Sequence, residues 1–433
     1  MNALLERLFH LSRNNTSIRQ EVVAGWTTFL AMAYIAAVNP LILADAGMPQ
    51  ESVFVATCLA AAFGTLLMGV LANYPIALAP GMGLNAFFTY GVVLGMGYSW
   101  QQALGAVLLS GGLFVLLSVS KLRETIINAI PVGLKIGIAA GIGLFLGLIG
   151  LKNAGIVVDH PATLVTLGDI KSTQVLLALL GFALIVALEA RKVRGAVIIA
   201  VLAITGLGLL FDPAQTFKGV VSMPPSVAPT FMALEIPDLL DLTLWSVVFA
   251  LLFVDLFDTA GTLTAVAHKG KMLDAQGRLP RMGRALLADS TATVVGSVMG
   301  TSSTTSYIES ATGVVAGGRT GLTAVVVSVL FLLLLFFSPL ASMVPGYATA
   351  GALMYVATLM LGALRELHWD DLTEAVPAAI TALLMPFAFS IAHAIALGIL
   401  AYVAIKVGAG RWRDVGPVVW VLALLFIVKY ALA

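Results

Sequence analysis

Apolar residues run along this chain in long uninterrupted blocks, not at the i, i+3, i+4 spacing of a helix with one wet face. The blocks fall at 22–45, 51–72, 77–95, 101–119, 131–151, 173–190, 195–211, 243–266, 285–300, 302–317, 321–338, 345–364, 373–390 and 391–408. Most reach or approach the ~20 residues a helix needs to cross ~30 Å of hydrocarbon. The pattern therefore predicts an all-α polytopic membrane protein with fourteen transmembrane segments. A further apolar stretch, 415–432 within the C-terminal 409–433, reads either as a fifteenth crossing or as a surface or re-entrant helix. Over residues 1–21, Leu4, Leu5, Leu8, Phe9 and Leu11 interleave with Glu6, Arg7 and Arg13, which predicts a cytoplasmic amphipathic helix on the membrane surface.

The second half of the chain echoes the first. Ile130-Pro131-Val132-Gly133 opens a block that ends at Lys152-Asn153, and Val344-Pro345-Gly346 opens one that ends at Leu364-Arg365; each is followed by a polar loop and two more blocks. Two seven-segment repeats, 20–211 and 243–408, joined by an external loop over 212–242, account for this. Seven crossings per repeat force the halves into opposite orientations, and such inverted repeats place a transporter's site at their interface near the bilayer midplane.

Charge agrees with the count. With the N-terminus inside, eighteen lysines and arginines fall in cytoplasmic segments (Arg13, Lys121, Arg123, Arg191, Lys269, Arg278, Arg284, Arg319 and Arg411 among them) against Lys152, Lys171 and Lys218 outside. That bias is the positive-inside rule, and it puts the N-terminus and the region of position 410 in the cytoplasm of a cell bounded by this plasma (inner) membrane. Composition narrows the class further. Residues are 60% hydrophobic and 10% charged, against about 25% charged in soluble domains. With 23 basic and 22 acidic residues the net charge is +1, which gives nucleic acid no electrostatic footing. One cysteine, Cys58, and no His/Cys cluster at ligand spacing leave no intrachain disulfide, no metal site and no cofactor to expect.

Two segments are unlike ordinary spans. Segment three carries Pro80, Gly81 and Gly83 ahead of Asn85, and segment ten carries Gly300-Thr301-Ser302-Ser303-Thr304-Thr305-Ser306 ahead of Glu309. Both stand third in their repeat, and matched interruptions of this kind point to a transporter's binding site. Broken backbone at membrane depth is tolerated only around a protein-lined cavity.

Carboxylates gather near these breaks. In segment eight Asp255, Asp258, Thr259 and Thr262 share one helical face, although an acid at a span's centre costs roughly 2.5–3.5 kcal/mol on insertion scales. Glu309 has no Lys or Arg within nine residues on either side, and a buried carboxyl without a counter-charge resists ionisation, as a proton carrier requires. Asp258, Glu309 and Asp255 are thus candidates for both substrate and proton, against a reading as interhelical polar latches. Asn85 either meets ligand or satisfies the broken backbone. Thr259 and Ser303 are candidate contacts, although the hydroxyls of 302–306 also suit backbone capping. Phe87 offers an aromatic wall to a planar ligand. Glu189 reads as a solvated partner of Arg191, and His393 as a structural residue in an outer turn.

Val22-Val23-Ala24-Gly25-Trp26, Asn39-Pro40, Ala79-Pro80-Gly81-Met82-Gly83-Leu84-Asn85, Asp255-Leu256-Phe257-Asp258-Thr259-Ala260-Gly261-Thr262 and Tyr307-Ile308-Glu309-Ser310 resemble the azaguanine-permease-like purine carriers of the nucleobase–cation symporter-2 superfamily. The resemblance covers nearly the whole chain. It implies a uracil-transporter-like fold of seven-plus-seven inverted repeats that works as an elevator. The core domain would be 22–119 and 243–338, and the gate domain 131–211 and 345–408. It places the nucleobase between Asp258 and Glu309, and Asn85 resembles the guanine/hypoxanthine carriers more than the adenine ones. Thr262 stands where uracil carriers have a histidine.

The implied partners are a purine nucleobase, H⁺ in preference to Na⁺, the lipid bilayer and a second copy through the gate domain. Guanine's adjacent N–H donors match a carboxylate's two oxygens independently of the resemblance. The alternatives are an adenine, xanthine or uracil permease of this fold, an anion carrier of the same architecture, and an intramembrane aspartyl protease on Asp255 and Asp258. That last lacks any supporting catalytic motif, so no enzyme is expected.

Overall fold

The computed structural model describes residues 2–120, 130–236, 238, 242–274 and 279–432; Lys121, Arg123 and Arg278 of the charge pattern lie outside them. Each of the fourteen predicted segments carries a helix or a broken helix. Among the described residues nine helices are long and apolar enough to cross a membrane unaided. The shorter apolar ones, such as Ala196–Phe211 and Leu372–Ala388, coincide with segments seven and thirteen.

The helices pack into two groups. In one, segment five (Val132–Asn153) lies against Gly346–Leu361 and Leu372–Ala388, with Thr173–Ala190, Ala196–Phe211 and Ile391–Gly408 completing the bundle. In the other, Met282–Met299 packs on Trp100–Val119 and Gln50–Leu67, and Gly321–Leu334 on Ile18–Met32 and Gln50–Leu67. Residues 212–236 of the inter-repeat loop are strapped across the outer ends of this second bundle. Ser52 Oγ donates to the Ser226 carbonyl at 2.9 Å, Ser222 N–H to Phe336 at 2.9 Å, and Met232 N–H to Val298 at 2.8 Å.

Helix crossings are close where glycine allows it. Segments two and eleven touch backbone to backbone at Gly69 and Gly321, and a Cβ on Gly321 would run into the Gly69 carbonyl. Backbone cannot yield as a flexible side chain can. Gly321→Ala is therefore expected to lose about 1–3 kcal/mol through overpacking, read as a lower melting point of the detergent-solubilised protein; an unchanged melting point would contradict this crossing.

Two short antiparallel pairings interrupt the helical pattern. β1 (Leu78–Pro80) lies in segment three; β2 (Val157–His160) and β3 (Leu164–Leu167) form an exposed hairpin between segments five and six; β4 (Thr304–Ser306) lies in segment ten. β1 pairs with β4 in the register Leu78↔Ser306, Ala79↔Thr305, Pro80↔Thr304. The reason is local. Pro80 has no N–H to give a helix, and a run of Ser and Thr favours extended backbone. The carbonyl and amide groups so freed find each other within the membrane.

Candidate functional site

The β1–β4 crossing is held by side chains on every side. Thr65 Oγ1 of segment two bridges Leu78, accepting from its N–H at 2.8 Å and donating to its carbonyl at 2.9 Å. Tyr307 Oη donates to the Pro80 carbonyl at 2.6 Å, and Gly81 N–H to the Ser303 carbonyl at 2.9 Å. Gly81 has no alternative here: a Cβ would sit 2.6 Å from Thr305 Cγ2. From this crossing two half-helices lead away, Met82–Ala86 continuing through Phe87–Gly95, and Ser310–Val315.

Asp258 and Glu309 stand at the edge of the crossing, close enough for their charges to interact. Asp258 is exposed and Glu309 half-buried. On the helical face of segment eight that carries Asp258, Val247, Leu251 and Val254 are buried toward the outer end, whereas Gly261, Ala265 and His268 are exposed toward the inner end. Segment ten repeats the pattern: 301–307 are buried, and Thr312 and Val315 beyond Glu309 are exposed. A carboxylate facing lipid at that depth is costly. Exposure that begins at the two acids and continues toward the cytoplasmic ends of the helices points to a crevice on that side.

At the outer end the two bundles are closed against each other. Within one bundle Tyr90 Oη donates to Asp45 Oδ2 at 2.6 Å, and Asn153 of the other bundle, at the outer end of segment five, lies close to the same hydroxyl. Phe389, packed edge to face on Phe145 of its own bundle, brings its carbonyl to 3.6 Å from where a Cβ on Gly91 of segment three would stand.

Glu309 is oriented by a residue the sequence does not single out. Tyr34, at the break between Ile18–Met32 and Ile35–Asp45, donates its hydroxyl to Glu309 Oε1 at 2.7 Å, which leaves the second carboxylate oxygen open to the crevice. The opposite bundle contributes Glu189 and Tyr355, both within electrostatic range of Glu309, and Lys135, whose Nζ is 5.5 Å from the Phe257 ring centroid. Glu189 forms no ion pair with Arg191 among the described residues. The helix ends at Ala190 with Arg191 as its C-cap, and Glu189 is exposed at this end.

Asp255 lies behind the crossing, fully buried beside a further acid, Asp289 of segment nine. Sequence reasoning misses Asp289, although it is marked by the same signal, an acid inside an apolar block. Its Oδ1 accepts from Ser306 at 2.8 Å and its Oδ2 from Thr259 at 2.9 Å; Thr259 Oγ1 is also 2.8 Å from Thr305 Oγ1. Thr293 Oγ1 lies 3.0 Å from Asp255 Oδ2 and 2.9 Å from the Thr304 carbonyl, so one hydroxyl proton stands between two acceptors. If Asp255 carries a proton it donates to Thr293, Thr293 donates onward, and both contacts become hydrogen bonds.

The remaining sequence candidates lie deeper. Asn85 is buried and donates to Asn39 Oδ1 at 2.8 Å, while Asn39 donates to Thr57 at 2.8 Å and Thr301 at 2.9 Å. Asn85 Oδ1 and Ser303 Oγ have no protein partner. Phe87 is fully buried against Gly91, whereas Phe257, next to Asp258, is partly exposed.

This arrangement has relatives. A profile described as a permease family matches residues 19–397. The chain is 51% identical over 426 residues to the adenine permease AdeP of Escherichia coli (strain K12), covering 98% of this chain and 96% of the relative. It is 45% identical over 431 residues to the guanine/hypoxanthine permease PbuO of Bacillus subtilis (strain 168), covering 98% and 99%. In fold it is similar to the transmembrane domain of a cyanobacterial bicarbonate transporter, BicA, with a TM-score of 0.65 at 15% identity over 90% of this chain and 97% of that one. That structure, like SLC26A9 with a TM-score of 0.65 at 13% identity over 94% of this chain and 69% of that one, speaks to the inverted-repeat architecture alone. A multi-pass membrane transporter and not an enzyme, the chain belongs to this permease family, the nucleobase–cation symporter-2 (nucleobase–ascorbate) transporters.

Proposed function

We propose that this permease imports purine nucleobases by proton symport, with Asp258 and Glu309 as the substrate-binding acids. The observation that carries the reading is the pair itself. Two carboxyl groups front one crevice at membrane depth, and among the described residues neither takes part in an ion pair. Guanine and hypoxanthine supply N–H donors for a carboxylate edge and a C6 carbonyl for an N–H or hydroxyl donor. Adenine is the second reading, favoured by 51% and 49% identity to two adenine permeases against 45% and 46% to two guanine/hypoxanthine permeases. It offers an acceptor beside a donor, which a protonated carboxyl matches.

The proton belongs with Asp255 and Asp289 in this account. The two acids lie within electrostatic range of each other, Thr259 donates to Asp289, and Thr259 neighbours Asp258 in the chain. Protonation removes a buried negative charge and so favours the loaded, mobile form; loss of the proton to the cytoplasm favours release. The bundle of 22–119 and 243–338 acts as the moving core and that of 131–211 and 345–408 as the gate, with a homodimer built through the gate. The crevice open to the cytoplasm and the outer closure at Tyr90 together suit the inward-facing end of such an elevator.

Uptake of labelled guanine, with adenine, hypoxanthine and uracil as competitors and with and without a protonophore, tests the function. Competition by purines and collapse of accumulation by the protonophore are expected; accumulation that survives the protonophore would remove the proton from the account. The outer closure has its own test. Tyr90→Phe removes the hydrogen bond to Asp45 that holds this side chain against Asn153 of the opposite bundle, worth about 1 kcal/mol. It should raise the outward-open population and lower the KM for external purine about fivefold. An unchanged KM would deny Tyr90 a part in the closure.

A further inference from the structure

Residues 409–433 stand outside everything the transport reading uses, and the structure gives their path in three fixed points. The first is at the cytoplasmic edge. Arg411 pairs with Asp371, at the start of segment thirteen, and with Asp414, both at 2.8 Å. Thr373 and Arg411 together hold the Asp371 carboxyl well below the usual carboxylate range. The chain entering the last helix, Pro417–Leu432, therefore starts on the inner side.

The second is the flank. Val415, Val419 and Ala423, four residues apart, are buried in one apolar cluster with Ile395, Ile399, Tyr402 and Val403 of segment fourteen, Ile391–Gly408. The third is at the other end of that segment. The Tyr430 ring lies 6.0 Å from the ring of His393, in the first turn of Ile391–Gly408, tilted by 34°. Segment fourteen ends at the cytoplasmic side, so a helix that meets its tail at Val415 and its head at Tyr430 runs antiparallel along its length.

The surface of this helix argues against a berth on the membrane face. A helix lying in the interface needs a polar side, yet among the described side chains the exposed Trp420, Val421, Leu424, Leu425, Ile427, Val428 and Tyr430 are apolar or aromatic. Its 16 residues match the 16 of Ala196–Phe211 in segment seven. We propose that Pro417–Leu432 is a fifteenth membrane-spanning helix, packed on segment fourteen and covered on its outer side by lipid acyl chains, so that Tyr430 lies at the external surface, across the membrane from Arg413.

Two measurements on the full chain test this. Alkaline phosphatase fused after residue 433 should be active and green fluorescent protein fused there should be dark, because the first matures outside the cytoplasm and the second inside it. A fluorescent fusion with inactive phosphatase would overturn the proposal. Ala431→Cys should react with a membrane-impermeant maleimide in right-side-out vesicles and Arg413→Cys only in inside-out ones; the native Cys58 is buried and supplies the unlabelled background. Labelling of Ala431→Cys from the cytoplasmic side alone would equally overturn it. Neither readout depends on which substrate is carried.

Discussion

Glu309→Gln is expected to cut purine accumulation by about a hundredfold or more while the protein still reaches the membrane at normal level. The carboxylate would supply a charge-assisted hydrogen bond to the nucleobase and receives one from Tyr34 at 2.7 Å. Bonds to a charged group contribute about 1.5–3 kcal/mol each, and about 1.4 kcal/mol is a factor of ten in affinity. The amide keeps the shape and the Tyr34 contact but presents a donor where the base also presents donors. Asp258→Asn should do the same from the other side of the crevice.

Asp255→Asn has a different expected signature. An amide still donates to Thr293, as the protonated acid would, so exchange of internal for external purine continues while uphill accumulation fails. Measured as labelled-guanine uptake against counterflow in proteoliposomes, normal accumulation in both Glu309→Gln and Asp258→Asn would remove the substrate assignment. Normal accumulation in Asp255→Asn would remove only the proton assignment.

The helices that position these acids are legible in the sequence because hydrocarbon imposes one strong rule, an apolar block for each crossing. The interruptions in segments three and ten are legible too, since Pro80, Gly81 and the run 301–306 cannot continue a helix without loss. What the interrupted pieces do is another matter. The register Leu78↔Ser306 joins residues more than two hundred positions apart, and no local preference encodes such a pairing. Tyr34 is equally silent, an aromatic residue in an apolar run whose importance lies wholly in where its hydroxyl points. Asp289 differs from both, being readable by the rule that marks Asp255. Glu189 shows the opposite fault: nearness to Arg191 in sequence suggests an ion pair that does not form among the described residues.

Glu21→Ala is expected to be the most damaging single change away from the crevice, and it shows how the two repeats depend on each other. Glu21 is fully buried in the first turn of Ile18–Met32, yet it serves another helix. Its Oε1 accepts from Arg319 N–H at 2.9 Å. Its Oε2 accepts from Thr320 N–H at 3.3 Å, Thr323 N–H at 3.2 Å and Thr323 Oγ1 at 2.6 Å. These amides surround the start of Gly321–Leu334, where a helix has no internal acceptors to offer. The negative charge also meets the positive end of that helix's dipole. Removing the carboxylate strands several buried donors at once, each costing about 1–3 kcal/mol, so a loss of about 3 kcal/mol or more is expected. Glu21→Gln keeps one acceptor but turns an amide N–H₂ toward backbone N–H groups, and should fall between wild type and Ala. Melting points of detergent-solubilised protein should follow the order wild type, Gln, Ala, and a Glu21→Ala protein as stable as wild type would show that the carboxylate does not cap segment eleven.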